Sequence, residues 1–431
     1  MKSIENIAAE LEGYDPQALH TGTVNRFLSR LVTPVTEQES VGIFQTLGRV
    51  LACDVISPIS VPPHDNSAMD GYAFAGAQLA SDRPLVLKVI GTVLAGQAWS
   101  GKVETGECVK IMTGAMLPPR LDTVAPQELV TVRPAHDRPI SARTETITIA
   151  PGLLQTGDNR RLLGEDLQRG KTALQQGELL TPAALGLIAS LGIEKVPVLR
   201  RLRVAYFSTG DEILSLGEAP REGAVYDSNR YSVFGLLTRL GCEVIDLGVV
   251  PDEPTRLQAA FTSAAQQADA IITSGGVSVG AADYTKAMMQ KLGEVVFWKI
   301  AMRPGRPMAV GRIGTSVLFG LPGNPVAVMV TFLAFVRPAL LQMMGRRTCA
   351  QPLLKAHSVE AIRKKPGRTE YQRGSVNTAP DGSLQVKITG NQGSGVLSSM
   401  VQANGLIVLP HQQGNVAAGD EVDVMMFEGV I

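Results

Sequence analysis

Three loops in the second half of the chain combine residue types that handle anions. Ser208-Thr-Gly-Asp-Glu212 follows an apolar run and sets two hydroxyls beside two acids. Ser274-Gly-Gly-Val-Ser-Val-Gly280 follows a second apolar run and leads into Asp283-Tyr-Thr-Lys286. Phe319-Gly-Leu-Pro-Gly-Asn-Pro325 is the third, with Asn324 suited to a helix N-cap and Pro325 to the first helical position. A Gly-rich turn entering a helix points backbone N–H groups at one spot and aims the positive end of the helix dipole there, which suits a phosphate or another oxyanion. The second loop is such a candidate, and its Gly275, Gly276 and Gly280 also fit a plain tight turn between strand and helix. The loop lacks the Gly-Lys-Ser/Thr ending of a Walker A loop and the spacing of a dinucleotide fingerprint, so ATPase and dehydrogenase readings lose their main support.

Carboxylates are the second theme: Asp65 and Asp70 in Pro62-Pro-His-Asp-Asn-Ser-Ala-Met-Asp-Gly71, Glu165-Asp166, Asp211-Glu212, Asp227, Asp252 and Asp283. Such acids facing an anion-binding loop make chemical sense with Mg²⁺ between them, because a hard cation takes oxygen ligands and phosphate oxygens complete its shell. Each acid alone also fits a cap or a turn, as Asp252 does in Pro251-Asp-Glu-Pro254. Lys299, Arg303 and Arg306, within Trp298-Lys-Ile-Ala-Met-Arg-Pro-Gly-Arg-Pro307, offer positive charge, either to an oxyanion or merely to solvent. His64 adjoins Asp65, but no Ser or Cys nucleophile motif accompanies it, and it reads as structural.

These residues need elements to position them. Strand-like runs alternate with helical ones: Leu202–Phe207, then a helix over Asn229–Leu240, a strand over Cys242–Val250, a helix over Pro254–Gln267 and a strand over Ala270–Thr273. Alternation of this kind predicts a parallel sheet with crossover helices, whose ligands sit beyond the C-terminal strand ends. Before it, Phe27, Leu28 and Leu31 mark one helix, and Val41, Phe44, Leu47 and Val50 recur at helical spacing as a second. Short β-type runs fill Val55–Gly170, Thr181-Pro182 opens a further helix, and short strands return after Gly345. The predicted division is a connecting helical, elongated domain over 1–52 with 171–199, an inserted β-rich domain over 53–170, an α/β domain over 200–344 and a C-terminal β-barrel over 345–431. The 431 residues accommodate that many domains.

Composition narrows the function. Lys and Arg total 40 against 40 Asp and Glu, without a dense basic run, which argues against nucleic acid. Four scattered cysteines argue against a disulfide scaffold or a zinc site. No basic-then-apolar segment opens the chain, and the apolar run Val326–Val336 ends at Arg337-Pro338, short of the ~18 residues of a membrane span. The expectation is a cytoplasmic protein without membrane partners.

Seven motifs stand in order: Asp65-Asn-Ser-Ala-Met-Asp-Gly-Tyr72, Ile111-Met-Thr-Gly-Ala115, Gly164-Glu-Asp166, Ser208-Thr-Gly-Asp-Glu212, Tyr226-Asp-Ser-Asn229, Ser274–Gly280 with Asp283–Lys286, and Leu321-Pro-Gly-Asn-Pro325. Together they resemble the molybdopterin molybdenumtransferase family, the MoeA type that includes the C-terminal domain of gephyrin. The resemblance runs from about residue 20 to the C-terminus. It implies an elongated, usually dimeric protein that takes adenylated molybdopterin and molybdate, cleaves the phosphoanhydride with Mg²⁺, releases AMP and leaves molybdenum on the dithiolene sulfurs. It implies a molybdopterin adenylyltransferase as substrate donor. Catalytic or metal-site roles carry over to Asp65, Thr113, Asp166, Glu212, Asp252 and Asp283, the last three as metal ligands. Substrate-binding roles carry over to Gly275, Gly276, Ser278, Lys299, Arg303, Arg306, Pro322 and Pro325, with Arg368 and Ser394 as candidates for the molybdate pocket. In the implied dimer, Asp65 and its neighbours complete a site on the other subunit. Family members commonly have Lys where this chain has Arg303 or Arg306, and an aromatic at His64; Arg keeps the charge and adds donors, so altered anion geometry without loss of activity is expected. Adenylyl transfer to molybdopterin, a non-catalytic gephyrin-like scaffold or cofactor carrier, and a tungsten-specific variant are the alternatives.

Overall fold

Runs that are apolar on both faces become the strands of a sheet covered on both sides. They are β1 (Arg203–Thr209), β2 (Glu243–Val250), β3 (Ala270–Ser274), β4 (Gly293–Lys299), β5 (Pro307–Ile313) and β6 (Ser316–Leu321), with helices α1 (Ser228–Leu240), α2 (Pro254–Gln267), α3 (Tyr284–Leu292) and α4 (Pro325–Thr331) among and after them. The computed structural model describes residues 3–133, 145–277 and 284–427. Strand order is β2-β1-β3-β6-β5-β4. The first four strands are parallel, and β5 runs antiparallel to both β6 and β4. Only Gly314 and Thr315 separate β5 from β6, too little for a crossover, and Gly314 turns the chain at φ +59°.

Alternation along the strands builds two layers. Val204, Tyr206, Ile272 and Phe319 pack with Val233 and Leu237 of α1 and with Val326 and Val330 of α4. Ala205, Phe207, Ile271 and Leu318 face the other way, onto Leu257 and Phe261 of α2 and Met288 and Met289 of α3. The ends of α1 are fixed by Asp227, whose carboxylate accepts from the Arg230 N–H at 3.0 Å, and by left-handed Gly241.

The first expected N-terminal helix is present over Thr21–Leu31, with Phe27, Leu28 and Leu31 buried. The second is not. Gln38–Gly42 is a strand paired with Lys195–Leu199, a 3₁₀ turn follows at Ile43–Gln45, and Phe44 is 96% exposed. Pairing with a strand far away in sequence overrides a local helical period. Nor does Pro338 stop the apolar helix. A π-type turn at Phe332–Val336 absorbs the missing N–H, and the helical run continues to Met343, mostly buried within the protein.

Beyond it, β7 (Leu354–Ser358), β8 (Thr369–Thr378), β9 (Leu384–Ile388), β10 (Gly405–Leu409) and β11 (Glu421–Met426) close into a barrel in the order β8-β9-β7-β11-β10-β8. Val376, Val386, Ile407, Leu409 and Val424 fill it. His20 and His411, distant in sequence, bring their rings to 4.0 Å.

All of this belongs to one compact unit; Asp54–Gln176 with Ala183–Glu194 forms the other. Its six-stranded sheet runs in the order Thr123–Pro126, Gly71–Phe74, Glu107–Ile111, Leu85–Val93, Thr146–Ile149, Val130–Arg133. Both faces are apolar, with Val109, Ile111 and Val124 on one and Phe74, Leu87 and Ile147 on the other. Gly71 has no alternative there, since a Cβ would lie 2.1 Å from the Ala125 carbonyl oxygen.

At the N-terminal ends of the parallel strands, Asp269 accepts from Arg200 Nη1 and Nη2 at 2.7 and 2.8 Å and from the Arg203 N–H at 2.8 Å. Burial pushes its carboxyl up, but the Arg200 fork and the backbone N–H outweigh it and hold the group below its ordinary value. A depressed folded value means the stabilisation is present above the unfolded pKa and disappears as pH falls through the folded one. Asp269→Asn is therefore expected to cost about 2–4 kcal/mol at pH 7, and chemical denaturation should show the gap to the parent closing below about pH 4. A gap independent of pH would exclude the charge as its cause.

Candidate functional site

The parallel register places Ser208 beside Ser274, and Ser274 beside Leu321, so three loops leave the sheet along one line. They enclose a cavity of about 1110 Å³. At its base the Tyr206 hydroxyl lies 2.9 Å from Ser208 Oγ and 2.7 Å from Ser274 Oγ. Burial drives the Tyr206 phenol well above its usual pKa despite those two hydroxyls, so this polar floor is neutral.

One wall is acidic. Glu212, Asp227 and Asp252 all line the cavity. Gly210 adopts φ +139°, and the Glu212 carboxylate folds back so closely that a Cβ on Gly210 would stand 2.7 Å from it. Asp252 accepts from Thr285 Oγ1 at 3.1 Å, and its N–H donates to Asp211 at 3.1 Å. Asp227 spends Oδ1 on the α1 cap, whereas Oδ2 is buried without a hydrogen-bond partner among the described residues. A buried carboxylate oxygen of this kind calls for a donor or a cation. Among the described residues no three potential ligand side chains are gathered tightly enough to hold a metal by themselves. Carboxylates spaced this way could serve a hard cation only as one or two of its ligands, with water and phosphate oxygens supplying the rest.

Beside the acids lies the glycine turn. Gly275 and Gly276 have φ of +89° and +64°; a Cβ would fall 2.4 Å from the Thr209 carbonyl oxygen in the first case and 2.4 Å from Thr285 Cβ in the second. Both conformation and space require glycine here, and the bare backbone faces the cavity.

A second wall is basic. Arg303 and Arg306 come from the connection between β4 and β5, where Met302–Arg303 pairs with Thr369–Glu370 of β8. Arg368 arrives just before β8; its Nε donates to Glu370 Oε1 at 2.8 Å, and the buried Glu370 also accepts from Gln372 Nε2 at 3.1 Å. The third loop adds Pro322 and Asn324. Asn324 occupies the helix N-cap position, yet its side chain makes no cap bond and instead donates to Ser394 Oγ at 3.1 Å.

Of the residues singled out by sequence, Glu212, Asp252, Gly275, Gly276, Arg303, Arg306, Pro322, Arg368 and Ser394 thus share one cavity. Lys299 and Pro325 are not among its lining residues, and Lys299 uses its backbone N–H and carbonyl to hold Pro16 and Leu19. Ser278 and Asp283 lie outside the described residues. Asp65, Thr113 and Asp166 belong to the other unit, on loops that hydrogen-bond to one another or to their neighbours. Asp65 accepts from the Leu163 N–H at 2.7 Å, Thr113 donates through N–H and Oγ1 to Asp70 at 2.7 Å each, and the Asp166 N–H reaches the Val61 carbonyl at 3.1 Å. Sequence reasoning missed Glu370 and Gln392. Glu370 stands two residues after Arg368, a spacing that could have found it, whereas Gln392 carries no such signal.

Three sequence-family models match the chain: the MoeA N-terminal region (domain I and II) over residues 20–192, a probable molybdopterin binding domain over 205–342, and the MoeA C-terminal region (domain IV) over 355–427. A molybdopterin molybdenumtransferase of Haemophilus influenzae is 41% identical, over 94% of this chain and 98% of that protein. One from a Nostoc species is 34% identical, over 96% and 95%. Among solved structures, two of the molybdopterin biosynthesis MoeA protein of Pyrococcus horikoshii superpose with TM-scores of 0.79 and 0.74 at 26% and 31% identity, covering 95% and 96% of this chain and all of theirs.

The glycine requirement can be checked by substitution. Gly276→Ala should cost about 1–3 kcal/mol in chemical denaturation. Gly235→Ala, inside α1 with open space around it, should be neutral or stabilising by about 0.5–1 kcal/mol. Equal effects at the two positions would show that the turn does not depend on its left-handed backbone.

Proposed function

The chain belongs to the MoeA family, transferases of molybdenum cofactor biosynthesis, and on that premise we propose that it inserts molybdenum from molybdate into adenylated molybdopterin and releases AMP as a molybdopterin molybdenumtransferase. The observation that carries this reading is the single cavity with an acidic wall, a glycine backbone cradle and a wall of arginines. An adenylated pterin brings phosphates and molybdate brings a tetrahedral dianion, and the two need different neighbours.

Glu212 or Asp252 would supply one or two oxygen ligands to Mg²⁺, with water and phosphate oxygens completing its shell. When bound, the ion neutralises phosphate charge and makes the phosphoanhydride easier to open. The Gly275–Gly276 turn lets backbone N–H groups approach phosphate oxygens without side-chain obstruction. Arg303 and Arg306 supply charge against the same oxygens, and Arg368, anchored through Nε by Glu370, offers its terminal nitrogens to an oxyanion. Ser394, fixed by Asn324, adds a hydroxyl at that end. The neutral Tyr206, Ser208 and Ser274 trio positions polar atoms without adding charge that would repel either substrate. A role in the reaction for Asp65, Thr113, Asp166, Ser278 and Asp283, the four-domain division at the boundaries given above, a homodimer and a molybdopterin adenylyltransferase as substrate donor belong to the same proposal.

The test follows the metal into the product. Purified protein given adenylated molybdopterin, Mg²⁺ and molybdate should yield a pterin that reactivates a molybdenum-free apoenzyme. Glu212→Gln should lower that yield by about 100-fold or more, and Arg368→Ala should raise the molybdate KM roughly 10- to 100-fold. Full activity in both variants would refute this assignment of the cavity.

A further inference from the structure

Behind the basic wall lies an arginine that does not line the cavity. Arg373, on β8, is 1% exposed. Its Nε donates to Ser399 Oγ at 3.0 Å, and its Nη2 donates to the carbonyls of Asn391 and Gly393 at 3.3 and 3.0 Å. Among the described residues no carboxylate forms an ion pair with it. Burial draws its pKa down to about 10, and nearby Arg303 pushes the same way. Burying a guanidinium without a counter-charge is costly, so what its donors hold becomes the question.

They hold one loop. Residues 389–404 leave the barrel after β9, reach the cavity with Gln392, Gly393 and Ser394, and return through a short helix, Ser398–Gln402, to β10. Backbone ties reinforce the grip: the Arg373 N–H donates to Gln392 Oε1 at 2.8 Å, and Gln392 Nε2 returns to the Arg373 carbonyl at 3.2 Å. The far side of the loop is held by the third α/β loop, through Asn324 Nδ2 to Ser394 Oγ and the Val326 N–H to the Ser394 carbonyl, both at 3.1 Å. The Gln392–Ser394 edge is thus clamped between a buried cation and the start of α4. With the Asn391 and Gly393 carbonyls turned to Arg373 and the Gly393 N–H donated to Asn391 Oδ1 at 2.8 Å, the group this edge presents to the cavity is the Ser394 hydroxyl.

We propose that Arg373 is a positioning residue for the oxyanion end of the cavity, fixing Ser394 opposite Arg368 so that the two close on one tetrahedral dianion. Its uncompensated charge, one layer behind the loop, favours a doubly charged occupant there. The proposal rests on the molybdate-handling function given above and assigns the selectivity of that end to a residue that never touches the substrate.

The experiment compares Arg373→Met, Arg373→Lys and Arg368→Ala with the parent, each as the full chain, in steady-state turnover with molybdate and adenylated molybdopterin varied separately. Arg373→Met should raise the molybdate KM about 10-fold or more, while kcat and the KM for adenylated molybdopterin stay within about twofold. Arg373→Lys keeps the charge but loses the fork, and should recover part of the molybdate KM. If Arg373→Met does not fold, a raised molybdate KM in Arg373→Lys alone supports the proposal and an unchanged one overturns it. A rise in Arg368→Ala with no change in either Arg373 variant, or an Arg373 effect that falls equally on both substrates, overturns it too. A parent protein without molybdate-dependent turnover sinks the functional reading itself, a result distinguishable from the others.

Discussion

The parallel register of β1, β3 and β6 is the constraint on which the cavity depends. Because Ser208, Ser274 and Leu321 stand side by side, the loops that follow them start level with one another, and no loop has to reach far to share a ligand. Asp269 pins the opposite end of the same strands: its carboxylate binds the Arg203 N–H that opens β1, and its carbonyl accepts from Val317 of β6 at 3.0 Å. A slip of one residue in any of these strands would turn the serines from the floor toward the layer formed by α2 and α3.

Several of the ionic groups around that frame are supported from behind. Glu370 holds Arg368 through one nitrogen, Arg230 and the α1 cap fix Asp227, and Thr285 steadies Asp252. Acids stand on the loops of the α/β sheet, whereas Arg368 and the Arg373-clamped edge come from the barrel. Under the proposed function, phosphate chemistry and oxyanion capture would fall to different parts of the chain that line one cavity.

Much of this was legible in the residues. The helix over Pro254–Gln267 matches its expected bounds because Pro254 marks its first turn and an amphipathic run follows. The three loops that line the cavity were visible because glycine, acid and hydroxyl clusters interrupt apolar strands. The segment Val41–Val50 misled because four apolar residues at near-helical spacing also fit a strand followed by a 3₁₀ turn, and the deciding partner, Lys195–Leu199, is remote in sequence. Asn324 was placed correctly as a cap position, but its side chain answers to Ser394, which local sequence cannot reveal. Arg373 had no signature at all: one basic residue in a strand acquires meaning only when a later loop folds its carbonyls over it.

The central claim is that cleavage of the nucleotide and capture of the metal oxyanion are coupled in one cavity. The most direct test is AMP release from adenylated molybdopterin by the purified protein with Mg²⁺, with and without molybdate, and with ATP omitted. The account predicts AMP only when molybdate is present, in proportion to molybdenum taken up. Adenylated molybdopterin that binds and is never cleaved, or is cleaved equally without molybdate, would contradict it.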